Sequence, residues 1–116
     1  MNKKIIFAVL ISVLVLCVII VCCVKNKGDK NMSYVYKTKG TCSTEIELEL
    51  EGNVVHNVKF TGGCNGNLKA IPRLVEGLTV DQVEEKIGGI KCGFKNTSCG
   101  DQLAKACREA YEAQNK

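Results

Sequence analysis

Cys42, Cys64, Cys92 and Cys99 are the residues of this chain best suited to chemistry: thiol–disulfide exchange if they act in pairs, soft-metal binding if they act together. The chain has eight cysteines, five of them between Met32 and Lys116, and an odd number fits poorly with a simple disulfide framework. Cys107 falls on the apolar stripe of a C-terminal helix, where a free cysteine serves as a small hydrophobe. The other four sit at element ends: Cys42 in Gly40-Thr41-Cys42-Ser43, Cys64 in Gly62-Gly63-Cys64-Asn65-Gly66-Asn67, Cys92 in Lys91-Cys92-Gly93, and Cys99 beside a helix N-cap.

Cys99 has the strongest physical case. With Ser98 as N-cap it occupies the first helical position, where free backbone amides and the helix dipole favour a thiolate. Exchange requires a resolving thiol, so the redox reading takes Cys99 as the attacking sulfur and one of Cys42, Cys64 and Cys92 as its partner, Cys64 first. The metal reading takes Cys42, Cys64, Cys92 and Cys99 together as ligands of zinc or an iron–sulfur cluster. No Cys-x-x-Cys pair supports it, the nearest spacing being the six residues between Cys92 and Cys99. His56 reads as a partly exposed strand residue rather than a ligand.

These thiols are carried by a pattern of strands followed by helices. Ile46, Leu48 and Leu50 alternate with Glu45, Glu47, Glu49 and Glu51, the period of a strand with one wet face, and Val54, Val58 and Phe60 repeat it. A three-residue loop of Glu51, Gly52 and Asn53 is expected to set Leu50 opposite Val54, Ile46 opposite Val58 and Leu48 opposite His56. Tyr34, Tyr36 and Thr38 supply a third strand. Beyond Gly62, Leu68, Ile71, Leu74 and Val75 share a helical face that Pro72 interrupts. Thr79 and Gln82 form a capping box for a second helix faced by Val80, Val83 and Ile87 and stopped at Gly88-Gly89. Ser98 and Asp101 form another, opening a last helix striped by Leu103, Ala106, Cys107 and Ala110. The expected class is α+β, a small antiparallel sheet of about three strands with about three helices, preceded by one transmembrane helix.

Residues 5–24 carry no charge and are long enough to span a hydrocarbon core, so the chain divides into a membrane anchor and basic linker, 1–31, and a cysteine domain, 32–116. Cys22 and Cys23 lie at the interfacial end of the span and read as small apolar residues of the helix. Lysine counts on the two sides nearly tie, but thiols that must stay reduced place the domain on the cytoplasmic side of a single-pass protein. A product starting at Met32 would be soluble in the cytoplasm. The net charge of +4 belongs to the first 31 residues, because from Met32 onward eleven Lys/Arg face eleven Asp/Glu. Nucleic acid is thus not an expected partner. About 85 residues are too few for a barrel enclosing a nucleotide and a radical, which takes roughly 200 or more.

From Tyr34 to Tyr111 the chain resembles the TSCPD-domain family of short bacterial proteins, through Tyr36-Lys37-Thr38-Lys39-Gly40-Thr41-Cys42-Ser43, Phe60-Thr61-Gly62-Gly63-Cys64-Asn65-Gly66-Asn67, Lys91-Cys92-Gly93 and Thr97-Ser98-Cys99-Gly100-Asp101. Gly100 stands where the family name has proline, and the membrane segment is a further departure. Such domains occur at the C-terminus of adenosylcobalamin-dependent ribonucleoside-diphosphate reductases. The resemblance therefore implies an accessory thiol-redox or metal-binding module in DNA synthesis, with a reductase or redox protein as partner. Nucleotide binding is implied by family inheritance alone, and adenosylcobalamin only through that partner. A second resemblance, through Phe60, Gly63-Cys64, Leu68, Leu74, Glu76, Gly77, Thr79, Cys92 and Cys99, is to the IscU-type iron–sulfur scaffolds, and implies Cys64, Cys92 and Cys99 as ligands. A third reading is a structural domain held at the membrane, its thiols serving as packing.

Overall fold

The computed structural model describes residues 2–25 and 31–116, and for 21–25 the backbone alone. Helix α1 (Lys3–Lys25) is followed by strands β1 (Asn31–Lys37), β2 (Ser43–Glu51) and β3 (Val54–Gly62), then helices α2 (Asn67–Val75), α3 (Val80–Ile87) and α4 (Cys99–Gln114). The side chains of Cys22 and Cys23 and the lysines after them lie outside the described residues. α1 is long and apolar enough to cross a membrane by length and composition, its window Lys3–Ile20 having mean hydropathy 2.7.

The expected α+β class is borne out: an antiparallel sheet in the order β1-β2-β3 carries helices on one face. α4 packs on β1 and β2, α2 on β3, and α3 on α4. Tyr34 pairs with Leu48 and Tyr36 with Ile46, so the third strand lies where the tyrosines put it, ending at Lys37. Ile46, Leu48, Leu50, Val55 and Val58 meet Val75, Val83, Leu103, Ala106, Cys107 and Ala110 in the core. On the opposite face Glu47 pairs between Val35 and Lys59 and is exposed.

The hairpin departs from the expected register. Glu51 pairs with Val54 and Leu50 with Val55, leaving Gly52-Asn53 as a two-residue turn with Gly52 at φ +63. Ile46 faces Phe60 rather than Val58, and His56 lies opposite Glu49 rather than Leu48. The reconciling feature is a β-bulge: between Glu47 and Glu49 the ladder slips, with Asn57 in the left-handed region at φ 51. The extra residue lets Val55 and Val58, three positions apart, both point inward. Glu76 secures the bulge, accepting the Asn57 amide at 2.9 Å and bonding His56 Nδ1 at 2.7 Å.

Two helical expectations also change. Leu74 is 75% exposed, so α2 buries only Leu68 and Val75 fully, with Ile71 half-buried. The Thr79–Gln82 capping box is complete, but at α4 only half of one forms: Ser98 Oγ accepts the Asp101 amide, while the Asp101 carboxylate turns elsewhere. α3 and α4 are joined by Arg108, whose guanidinium reaches Glu84 and Asp81.

Candidate thiol site

Asp101 accounts for the shape of the segment between α3 and α4. Its carboxylate accepts the Gly89 amide at 2.7 Å and the Thr97 hydroxyl at 2.5 Å, so one buried group pins both ends of the loop. Lys105 lies 3.0 Å away. The Thr97 bond, against the opposing cost of burial, holds the Asp101 carboxyl below the usual range, with the Gly89 amide and Lys105 adding to it. Gln102, also buried, accepts the Lys39 amide at 3.0 Å and the Tyr36 hydroxyl at 3.3 Å, and donates to Thr97. The β1–β2 turn is thereby fastened to the start of α4.

That fastening brings two cysteines together. Cys42 Sγ lies 3.8 Å from Cys99 Sγ although the residues are 57 positions apart. Ser43 Oγ, on a residue only 2% exposed, stands 3.2 Å from Cys99 Sγ. Burial pushes the Cys99 thiol up, but hydrogen bonds from the Ser43 hydroxyl and amide, Cys42 and Thr41 outweigh it and hold the thiol below its ordinary value. Cys99 is the first residue of α4, so the helix dipole acts in the same direction.

Gly62 and Gly63, at φ +76 and +80, carry the chain past this pair. A Cβ on Gly63 would lie 2.6 Å from Leu68 Cδ1, 3.0 Å from the Ser43 amide nitrogen and 3.1 Å from Cys42 Sγ. Only glycine permits that approach.

A cleft of about 310 Å3 opens beside the pair. Cys42, Cys64, Cys92 and Cys99 all line it, its floor is built by Leu68, Ile71, Ile87 and Ile90, and Lys91 and Lys95 add positive charge. The four cysteines singled out by sequence thus line one cleft, Cys42 and Cys99 being hydrogen-bonded to each other, and all four are free thiols. Cys64 and Cys92 are exposed on the cleft wall. Among the described residues no group of three or more His, Cys, Asp or Glu is set to hold a metal ion. Cys107 is fully buried, as expected, and burial pushes its thiol up to about 12. His56 bonds Glu76, far along β3 from the cleft.

Ser43, Asp101 and Gln102 were not legible as site residues. Ser43 adjoins a cysteine within a small-polar run, a signal available in sequence, whereas the reach of Asp101 to Gly89 depends on the loop's path.

No curated protein and no solved structure matches the chain. Residues 25–111 match the TSCPD domain, which takes in the sheet, α2, α3, most of α4 and all four cleft cysteines. With three quarters of its length so matched, the chain belongs to the TSCPD-domain family.

Proposed function

We propose that this protein is a thiol-redox module in which Cys99 attacks and Cys42 resolves. The observation that carries the reading is the 3.8 Å separation of their sulfurs beside a half-exposed, activated Cys99. A disulfide needs about 2.05 Å between sulfurs, so the pair has to close from 3.8 Å to form one. The Cys99 thiolate attacks one sulfur of a substrate disulfide, forming a mixed disulfide and expelling the other sulfur as a thiolate. The Cys42 thiolate then attacks Cys99 Sγ and releases the second substrate sulfur. The substrate gains two electrons, the Cys42–Cys99 pair loses two, and a dithiol partner restores the pair. Cys64 and Cys92 line the wall against which the substrate rests.

This chemistry fits an accessory role beside a larger reductase, ribonucleoside-diphosphate reductase being the one the family resemblance suggests. α1 serves as the anchor, with the domain in a reducing compartment. The test is single-turnover reduction of a small aromatic disulfide by the reduced full chain. Cys99→Ser is expected to abolish it, and Cys42→Ser to stop it at a trapped mixed disulfide. Equal rates in Cys99→Ser and the parent would overturn the reading.

A second reading has a specific observation in its favour. Thiolates at about 2.3 Å from a tetrahedral zinc stand about 3.8 Å apart, which is the Cys42–Cys99 separation, and Cys64 and Cys92 line the same cleft. In that reading Cys64 and Cys92 would have to turn in from the cleft wall to complete a four-thiolate set, and zinc would contribute folding energy to a thin core. Stoichiometric zinc in anaerobically purified chain, lost in Cys64→Ser and Cys92→Ser, would select it over the first.

A further inference from the structure

The loop between α3 and α4 carries a feature that thiol exchange does not use. Phe94 is fully exposed and Ile90 is half-exposed. Their exposure is built in: the Lys95 amide donates to the Cys92 carbonyl at 3.0 Å and the Cys92 amide to the Thr97 carbonyl at 3.1 Å, forming a closed turn with Gly93 at φ +57. Asp101 ties the loop at both ends, so Phe94 is displayed on a pinned tip that no side chain among the described residues covers. From Gly88 to Ser98 the segment has two lysines, Lys91 and Lys95, and no acidic residue.

A pinned apolar tip flanked by lysines matches the chemistry of an anionic bilayer surface, where an aromatic ring enters the acyl boundary and ammonium groups remain among the headgroups. Lys25 ends α1 and Asn31 begins β1, a separation that extended chain spans in at most about 22 Å. Asn31 stands opposite Glu51, at the end of the sheet away from the cleft, and the six steps to Lys37 cover roughly 20 Å, so the tether is long enough for the domain to lie along the leaflet with its cleft end on it. We propose that the Phe94 turn docks on the anionic leaflet next to the anchor, turning the thiol cleft, whose wall the same loop forms, toward the membrane surface. This rests on the anchoring reading of α1 and is independent of whether the cleft serves redox or metal chemistry.

The chain has no tryptophan, so Phe94→Trp gives a single indole, excited selectively over the three tyrosines, at an exposed position that leaves the core untouched. The full chain is reconstituted into nanodiscs of phosphatidylcholine alone or with phosphatidylserine, with and without brominated acyl chains. The expected result is a blue-shifted emission quenched by bromine in anionic discs, with the two lysines favouring anionic over neutral lipid by roughly 30-fold. Quenching should fall in Lys91→Glu/Lys95→Glu. Emission of a fully hydrated indole in anionic discs overturns the proposal, as does equal quenching in both lipids. A blue shift without quenching also overturns it, by showing a protein surface on the tip. A chain that elutes apart from the discs overturns the anchor reading and this proposal together, whereas anchored discs with a hydrated indole overturn this proposal alone.

Discussion

At Cys99, burial and hydrogen bonding oppose each other and the hydrogen bonds win. Ser43 contributes both a hydroxyl and an amide, so Ser43→Ala is expected to raise the Cys99 pKa toward the ordinary thiol range while leaving the fold intact. The rate of iodoacetamide alkylation against pH measures it: the titration midpoint should move up in Ser43→Ala, and an unmoved midpoint would show that the Ser43 hydroxyl does not stabilise the thiolate. Gly63 belongs to the same scale. A side chain there meets backbone as well as side chain and adopts a left-handed conformation that costs an L-residue roughly 1–2 kcal/mol. Gly63→Ala should therefore destabilise by about 2 kcal/mol or more in denaturant unfolding. Gly100 behaves oppositely, because a Cβ there meets Ile87 at an ordinary 3.6 Å and φ is helical. Gly100→Ala should stabilise by about 0.5–1 kcal/mol, the cost of glycine within a helix.

Asp101 ties both ends of the loop from Gly89 to Thr97, and the anchoring of those ends should depend on pH. Asp101 has its folded-state pKa depressed, so its contribution is present above the unfolded value near 3.9 and is lost as pH falls through the folded value. Protection of the Gly89 amide, which donates to Asp101, is expected to be lost only in acid, and Asp101→Asn to reproduce the acid behaviour at neutral pH. His56 has the opposite sign: Glu76 raises its pKa, so its tie to α2 is fully present below about 6.5 and fades as pH rises through the folded value. At this scale the sequence was most readable where the signal was local. The Thr79–Gln82 box and the Ser98 cap involve residues three apart, and both form. The hairpin register was unreadable because the bulge at Asn57 depends on Glu76, which arrives from the far end of α2. Leu74 fitted the apolar period of α2, but the sheet beneath that helix is too narrow to cover it.

Across the whole molecule, the proposed exchange depends on bringing together cysteines far apart in sequence. Their placement at element ends was legible from the turn and cap residues around them; their meeting in one cleft was an expectation of the metal reading alone, and the choice of Cys42 as the neighbour of Cys99 was not legible. That choice is made by Gln102, which fastens the β1–β2 turn to α4, and by Gly63, which leaves room for Cys42. A disulfide closing the 57-position loop should stabilise the oxidised chain by about 4 kcal/mol if the native geometry accepts it with little strain. The measurement that bears most directly on the thiol pair is a peptide map of the full chain after mild oxidation of the anaerobically reduced protein. The expected product has lost two hydrogens and carries a single Cys42–Cys99 linkage, with Cys64, Cys92 and Cys107 free. A disulfide joining any other cysteines, or a protein whose thiols resist oxidation until zinc is removed, would contradict it.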